Sequence, residues 1–97
     1  MNDYMTLNDV INEELKNSPE FKNAYQEELL INKVSQMIVE ARREANLTQA
    51  QLAVKANTSQ PVIARLESGR DSRIPSLALL SRIARALNAK LNISFVH

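Results

Sequence analysis

Side chains that make and break covalent bonds are almost absent from this 97-residue chain, which has no cysteine, a single histidine at the very end (His97) and a single glycine (Gly69). For general-base chemistry there is only this terminal histidine, with no clustered carboxylates beside it. A thiolate metal site or a disulfide has no sulfur, and a phosphate-cradling loop has no run of glycines. These absences argue against an enzyme and imply neither a cofactor nor a metal. The stretch from Gln49 to Arg73 instead carries amides and guanidinium groups: Gln49, Gln51, Gln60, Arg65, Arg70 and Arg73. An amide pairs a donor with an acceptor, and a guanidinium carries a fixed fork of donors. That is the chemistry of recognition.

Charge is distributed unevenly. The formal net charge of +1 conceals an acidic arm and a basic body. Residues 1–31 hold seven acidic residues against two lysines, net −5, whereas residues 32–97 hold ten basic residues against four acidic ones, net +6. A basic body suits a polyanion, and an acidic arm suits a basic protein. No apolar run is long enough to span a bilayer, and the acidic, polar start is unlike a signal peptide. With no cysteine, the chain is expected to be a soluble, cytoplasmic protein with no membrane partner.

The elements that must position these groups read as helices. Leu7, Val10, Ile11 and Leu15 fall at helical spacing until Asn17-Ser18-Pro19 interrupts the pattern. Ser18 and Pro19 then suit the start of a second helix, with Phe21, Tyr25 and Leu29 along one face. Ile31, Val34, Ile38, Ala41 and Ala45 continue the stripe, as one helix or as two broken near Leu30–Asn32. Thr48 and Gln51 form a T-x-x-Q capping box that opens a helix from Gln49 to about Ala56. Ser59 is placed to cap the next, about Gln60–Glu67, with Pro61 in its first turn and Gly69 as its stop. A last helix runs from about Ser76 to Leu87. Leu91, Ile93 and Phe95 alternate with Asn92 and Ser94, which predicts a short terminal strand. The expected architecture is all-α: an acidic helical arm (1–31), a helix-turn-helix domain (32–90) and a strand (91–97).

Spacing distinguishes the central pair from ordinary helix packing. Counting Gln49 as the first position, the fifth is Ala53, where two helices crossing closely admit only a small side chain. The ninth is Asn57, where a left-handed backbone is open to glycine and, next best, asparagine. The fifteenth and eighteenth, Ile63 and Leu66, face inward and pin the second helix.

These residues, with Leu47-Thr48-Gln49-Ala50-Gln51-Leu52-Ala53, Ser59-Gln60 and Leu66-Glu67-Ser68-Gly69, resemble the lambda-repressor/Cro-like (XRE) helix-turn-helix proteins. Pro75, Leu77, Leu80 and Ile83-Ala84-Arg85-Ala86-Leu87 extend the likeness, which covers roughly Val34–Leu87. Asn57 replaces the usual turn glycine, and the loop 70–74 is slightly longer than the commonest form. The resemblance implies a DNA-binding protein. Gln49 would meet a phosphate at the start of the first helix of the pair. Ser59, Gln60, Val62 and Arg65 would project toward the major groove. Gln60 suits adenine, Arg65 suits guanine or a phosphate, and Val62 suits a thymine methyl. Arg70 and Arg73 would grip the backbone. The resemblance also implies a structural salt bridge between Arg42 and Glu67, and a homodimer on half-sites about one DNA turn apart.

The acidic start, with Pro19-Glu20-Phe21 and Ala24-Tyr25 ahead of this domain, is similar to HigA-type antitoxins. That likeness implies a basic RelE/ParE-like toxin, an mRNA endonuclease, as partner, and allows a toxin–antitoxin heterotetramer. Leu7, Val10, Ile11, Leu15, Phe21 and Tyr25 would bury apolar faces on it while carboxylates steer association. The alternative is a free-standing dimeric repressor that uses the arm otherwise. The terminal strand suits pairing with a second copy or addition to the toxin's sheet.

Overall fold

The computed structural model describes residues 19–70 and 75–97, which form four helices. They are α1 (Pro19–Glu44), α2 (Gln49–Lys55), α3 (Gln60–Ser68) and α4 (Leu77–Ala86). The chain divides into two units, Met1–Leu30 and Ile31–His97. In the first, the described side chains from Glu20 to Leu30 are exposed apart from Phe21, which lies outside the described set, and Tyr25, which is half-buried. The stretch left open between one helix and two is a single helix. Within it Ser35 turns its hydroxyl back toward the Ile31 carbonyl, the local bond that lets serine sit inside a helix.

The second unit holds the core. Leu52 and Ile63 are fully buried, joined by Ile38, Ala53, Ala56, Leu66 and Ile83. Val34, Val62, Leu79, Leu80, Ala86 and Leu87 close its edges. All four expected spacing positions are met: Ala53, Ile63 and Leu66 are buried, and Asn57 has φ of 54°. The buried Ser35 hydroxyl also lies 2.6 Å from the Leu66 carbonyl and shares its single hydrogen between that oxygen and Ile31 O, so α1 serves a free acceptor near the end of α3.

One local device ends three helices. Asn46, Asn57 and Asn88 all take left-handed backbone, with φ of 57°, 54° and 55°. Beside each, the next amide reaches back five residues: Leu47 to Arg42 O (3.2 Å), Thr58 to Ala53 O (2.9 Å) and Ala89 to Ala84 O (2.8 Å). Each asparagine donates its own amide three residues back, which completes the double bond pattern of a Schellman motif. Sequence reading found the turn at Asn57 and overlooked the two others. Helix α3 ends on Gly69 (φ 67°) instead, where a Cβ would also come within 2.8 Å of Asn32 Oδ1. Asparagine tolerates this region because its amide bonds locally, and a β-branched residue does not. Asn57→Val should therefore cost about 1–2 kcal/mol. Asn57→Gly should change stability by less than about 1 kcal/mol. Urea unfolding of the two variants measures the contrast; equal losses would show that the left-handed turn is not what asparagine provides.

Two local expectations are corrected. Ser59 occupies the N-cap position of α3, yet its side chain makes no cap hydrogen bond. The amides such a cap would engage lie two and three residues on: Pro61 has none, and the Val62 amide is taken by the Ser59 carbonyl at 3.1 Å. The terminal strand expected at 91–97 does not form, and the described residues contain no strand. Alternating polarity makes a segment fit for a sheet, but strand hydrogen bonds require a neighbour. Phe95 and Val96 stand 91% and 93% exposed, and Ile93 is 61% exposed.

Candidate nucleic-acid interface

The surface that carries the amides is built on a largely buried ion pair. Arg42, near the end of α1, meets Glu67, near the end of α3, through two parallel hydrogen bonds: Nε to Oε2 at 2.6 Å and Nη2 to Oε1 at 2.9 Å. Nη1 of Arg42 donates to the Leu47 carbonyl at 2.8 Å and so ties down the link between α1 and α2. The side chains are only 13% and 6% exposed. The expected pairing is present, in the forked geometry that suits arginine and carboxylate.

Burial pushes the Glu67 carboxyl up. The Arg42 and Gln49 hydrogen bonds, with the charges of Arg42 and Arg43, outweigh it and hold the group below its ordinary value. The Glu67 hydrogen bond raises Arg42 in turn, so the arginine stays charged. A carboxyl depressed in the folded state adds stability that is complete above its unfolded value and is lost as pH falls through the folded one. The wild type should thus lose stability as pH drops below about 4.5, the ordinary glutamate value. Glu67→Gln should lack that component. Urea midpoints taken between neutral and acid pH would show it; identical profiles for the two proteins would remove the linkage.

The pair extends toward α3 through two amides. Gln49 Nε2 donates to Glu67 Oε1 at 3.1 Å, and Gln60 Nε2 donates to Gln49 Oε1 at 3.3 Å. Gln49, expected to face outward to a phosphate, is half-buried and already bonded on both sides. Gln60 and Arg65 are both exposed on α3, as is Ser59 before it. Val62, expected to offer its side chain to a base methyl, is half-buried and packs against the core. Arg70 is exposed, and its amide donates to Ser68 Oγ at 3.2 Å. Arg73 lies outside the described residues, as do Leu7, Val10, Ile11 and Leu15; Phe21 lies in α1 with its side chain undescribed, and Tyr25 is half-buried there.

Sequence reading missed one further support. Arg82 on α4 donates Nε to the Ala56 carbonyl at 3.0 Å, across 26 residues. Ala56 is the C-cap of α2, directly before the Asn57 turn, so α4 holds the turn through a backbone acceptor the helix leaves open. Its signal in the sequence was only a basic residue within an apolar stripe. A cleft of about 450 Å³ opens beside Ser35, Glu40, Arg43 and Gly69, and Gln49, Gln60 and Arg65 do not line it. Their surface suits a large partner with grooves better than a small enclosed ligand.

Two short helices meeting at a left-handed asparagine, with a buried fifth position and polar side chains exposed on the second helix, define a helix-turn-helix. A family model described as helix-turn-helix (HTH_3) matches residues 38–93, more than half of the chain, and the chain belongs to that family of XRE-type DNA-binding regulators. Its members act by binding DNA and are generally not enzymes. The immunity repressor protein of Bacillus phage phi105 is 44% identical over 59 residues, covering 61% of this chain and 40% of the repressor. Multiprotein-bridging factor 1b of Arabidopsis thaliana is 48% identical over 54 residues, 56% of this chain and 37% of that protein. An HTH-type transcriptional regulator of Methanothermobacter thermautotrophicus is 49% identical over 51 residues, 53% of this chain and 71% of its own length. This chain thus spans well under half of the first two relatives. No solved structure matches. Among the described residues no helix is long and apolar enough to cross a membrane.

Proposed function

We propose that this protein is a transcriptional repressor that lays α3 in the major groove of operator DNA as a homodimer. The observation that carries the reading is the joint exposure of Gln60 and Arg65 on a helix whose opposite side is pinned by Ile63 and Leu66. Gln60 reads a base edge. Arg65 takes a guanine or a phosphate, Arg70 and Arg73 take the backbone, and Ser59 adds a hydroxyl that its own helix does not use. Gln49 has one amide hydrogen left for a phosphate, and Val62 offers only the outer part of its side chain. One α3 covers one half-site, so two copies bind about one DNA turn apart. The resemblance to a phage immunity repressor supports repression as the outcome.

The test is fluorescence anisotropy with duplex from the region upstream of the protein's own reading frame, against a scrambled duplex of equal length. Tighter binding to the upstream duplex, lost in Gln60→Ala, is expected. Equal affinity for both duplexes would end the repressor reading.

The charge asymmetry favours a second reading, in which the repressor is an antitoxin. The net −5 of residues 1–31 is more than a DNA reader needs beside a basic domain, and it suits a basic RelE/ParE-like toxin. Exposed Glu20, Glu27 and Glu28 on α1 support steering of this kind. Pull-down of the small protein encoded by the neighbouring reading frame, with the full chain and with Glu20, Glu27 and Glu28 all changed to Gln, tests it. Equal capture by both would remove the acidic arm from the interaction.

A further inference from the structure

We infer that Glu67 is a specificity-determining positioning residue, whose carboxylate, acting through Gln49, fixes which end of the Gln60 amide faces the DNA. The inference rests on Gln60 being a base reader, as proposed above, and adds why its reading has a direction.

It follows from what each group is able to donate and accept. An ionised carboxylate only accepts. Glu67 Oε1 takes one hydrogen from Arg42 Nη2 at 2.9 Å and one from Gln49 Nε2 at 3.1 Å. Turning the Gln49 amide over would set its oxygen against that carboxylate oxygen, two acceptors with no hydrogen between them. Gln49 must therefore present Nε2 to Glu67, which leaves Oε1 toward α3. Gln60 meets that oxygen with Nε2 at 3.3 Å. Flipping Gln60 would again oppose two oxygens. Amide orientation is usually ambiguous because oxygen and nitrogen are alike in shape. Here it is set at one end of the chain and passed along it.

The Arg42 fork secures the anchor, since its second bond, Nε to Oε2 at 2.6 Å, holds the carboxylate in one plane with the guanidinium. Gln60, with one amide hydrogen spent on Gln49, keeps an acceptor and a second N–H in a fixed order. Adenine shows an N6 donor and an N7 acceptor in the major groove, whereas guanine shows two acceptors. An amide free to turn matches a donor–acceptor pair in either order. A held amide matches one order only, and so separates A·T from T·A as well as from G·C.

Two variants of the full chain test this. Glu67→Gln keeps the shape but offers Gln49 either an oxygen or an N–H, which releases the constraint. Gln49→Met breaks the link while leaving the Arg42–Glu67 pair in place, and so covers the case where Glu67→Gln fails to fold. The first measurement is of side-chain amide resonances in the free protein, with exposed Gln36 as the internal reference. The Gln60 amide hydrogens should exchange with solvent more slowly than those of Gln36 in the wild type, and like them in both variants. The second is selection from a pool of random duplexes. The wild type should enrich an adenine in one orientation at one position of each half-site, and both variants should lose that preference about tenfold relative to the other positions. A Gln60 amide that already behaves like Gln36 in the wild type overturns the inference, whatever the DNA result. So does a restrained amide with undiminished base preference in the variants, which leaves the repressor reading intact. A restrained amide with no enriched sequence in the wild type sinks the DNA reading itself and the specificity role with it.

Discussion

Arg42→Ala should lower the stability of the protein by about 3 kcal/mol, the low end of what it costs to strand a buried charge. The Glu67 carboxylate, 6% exposed, would keep the Gln49 amide as its hydrogen-bond donor, and the Leu47 carbonyl would lose its guanidinium donor. A group so placed has two ways out, and both are unfavourable. It takes up a proton and forfeits the depression of its pKa, or it draws in water and disturbs the junction of α1 and α3. In urea the midpoint should fall by about 1–3 M with an unchanged slope, given slopes of about 1–3 kcal/mol/M for small proteins. A drop that large takes much of the roughly 5–15 kcal/mol a domain of this size has.

Replacing both partners separates the cost of breaking the pair from the worth of having it. Arg42→Met with Glu67→Leu removes both charges and leaves side chains of similar bulk. That double variant should lie within about 1 kcal/mol of the wild type, because two charges that leave water recover little more than their lost hydration. If the single substitution costs less than about 1 kcal/mol, the pair is screened by solvent and contributes no more than a surface bridge. A stable double variant with altered DNA reading would instead show that evolution of this pair answers to orientation.

How far the fold was legible depended on the range over which each residue acts. Ala53, Ile63 and Leu66 follow from the 3.6-residue helical period, and Asn57 from the positive φ that few side chains tolerate. Both are local rules, and all four positions are as expected. The Thr48–Gln51 capping box is equally local, and both of its hydrogen bonds are present, at 2.9 and 3.1 Å. Ser59 failed as a cap through an interaction of two local rules, since the proline allowed in the first turn removed one of the amides the serine would have bonded. The tail at 91–97 failed for the opposite reason: a strand belongs to a pair of segments, and alternation describes only one of them.

The site was legible as a set of residues and illegible as a connected unit. That Gln60 and Arg65 stand exposed on one helix follows from the period and the turn. That Gln49 would turn inward to Glu67, 18 residues away, and receive Gln60, 11 residues away, depends on how α2 crosses α3. Arg82 reaching the Ala56 carbonyl depends likewise on α4 packing beside α2. Such links arise only once the core has fixed the helix crossings, so residue type and spacing alone leave them open.

The second large effect should appear in DNA binding as salt is varied. If Arg65, Arg70 and Arg73 each neutralise one phosphate, a dimer makes six such contacts, and log K should fall against log salt with a slope of about −5. Raising salt from about 50 to 200 mM would then weaken binding about a thousandfold. Arg70→Ala, which changes an exposed side chain on the loop after Gly69, should make the slope shallower by about 2 in the dimer, one contact per copy, and weaken all sequences alike. Gln60→Ala should do the reverse. It leaves the slope unchanged, because no phosphate charge is involved, and reduces preference for the cognate duplex by about 5- to 150-fold. Arg65 is the discriminating case, since its guanidinium suits either target. A shallower slope in Arg65→Ala assigns it to the backbone, and lost base preference at constant slope assigns it to guanine. A flat salt response in the wild type would remove phosphate contact from the account, and with it the reason for a basic body behind α3.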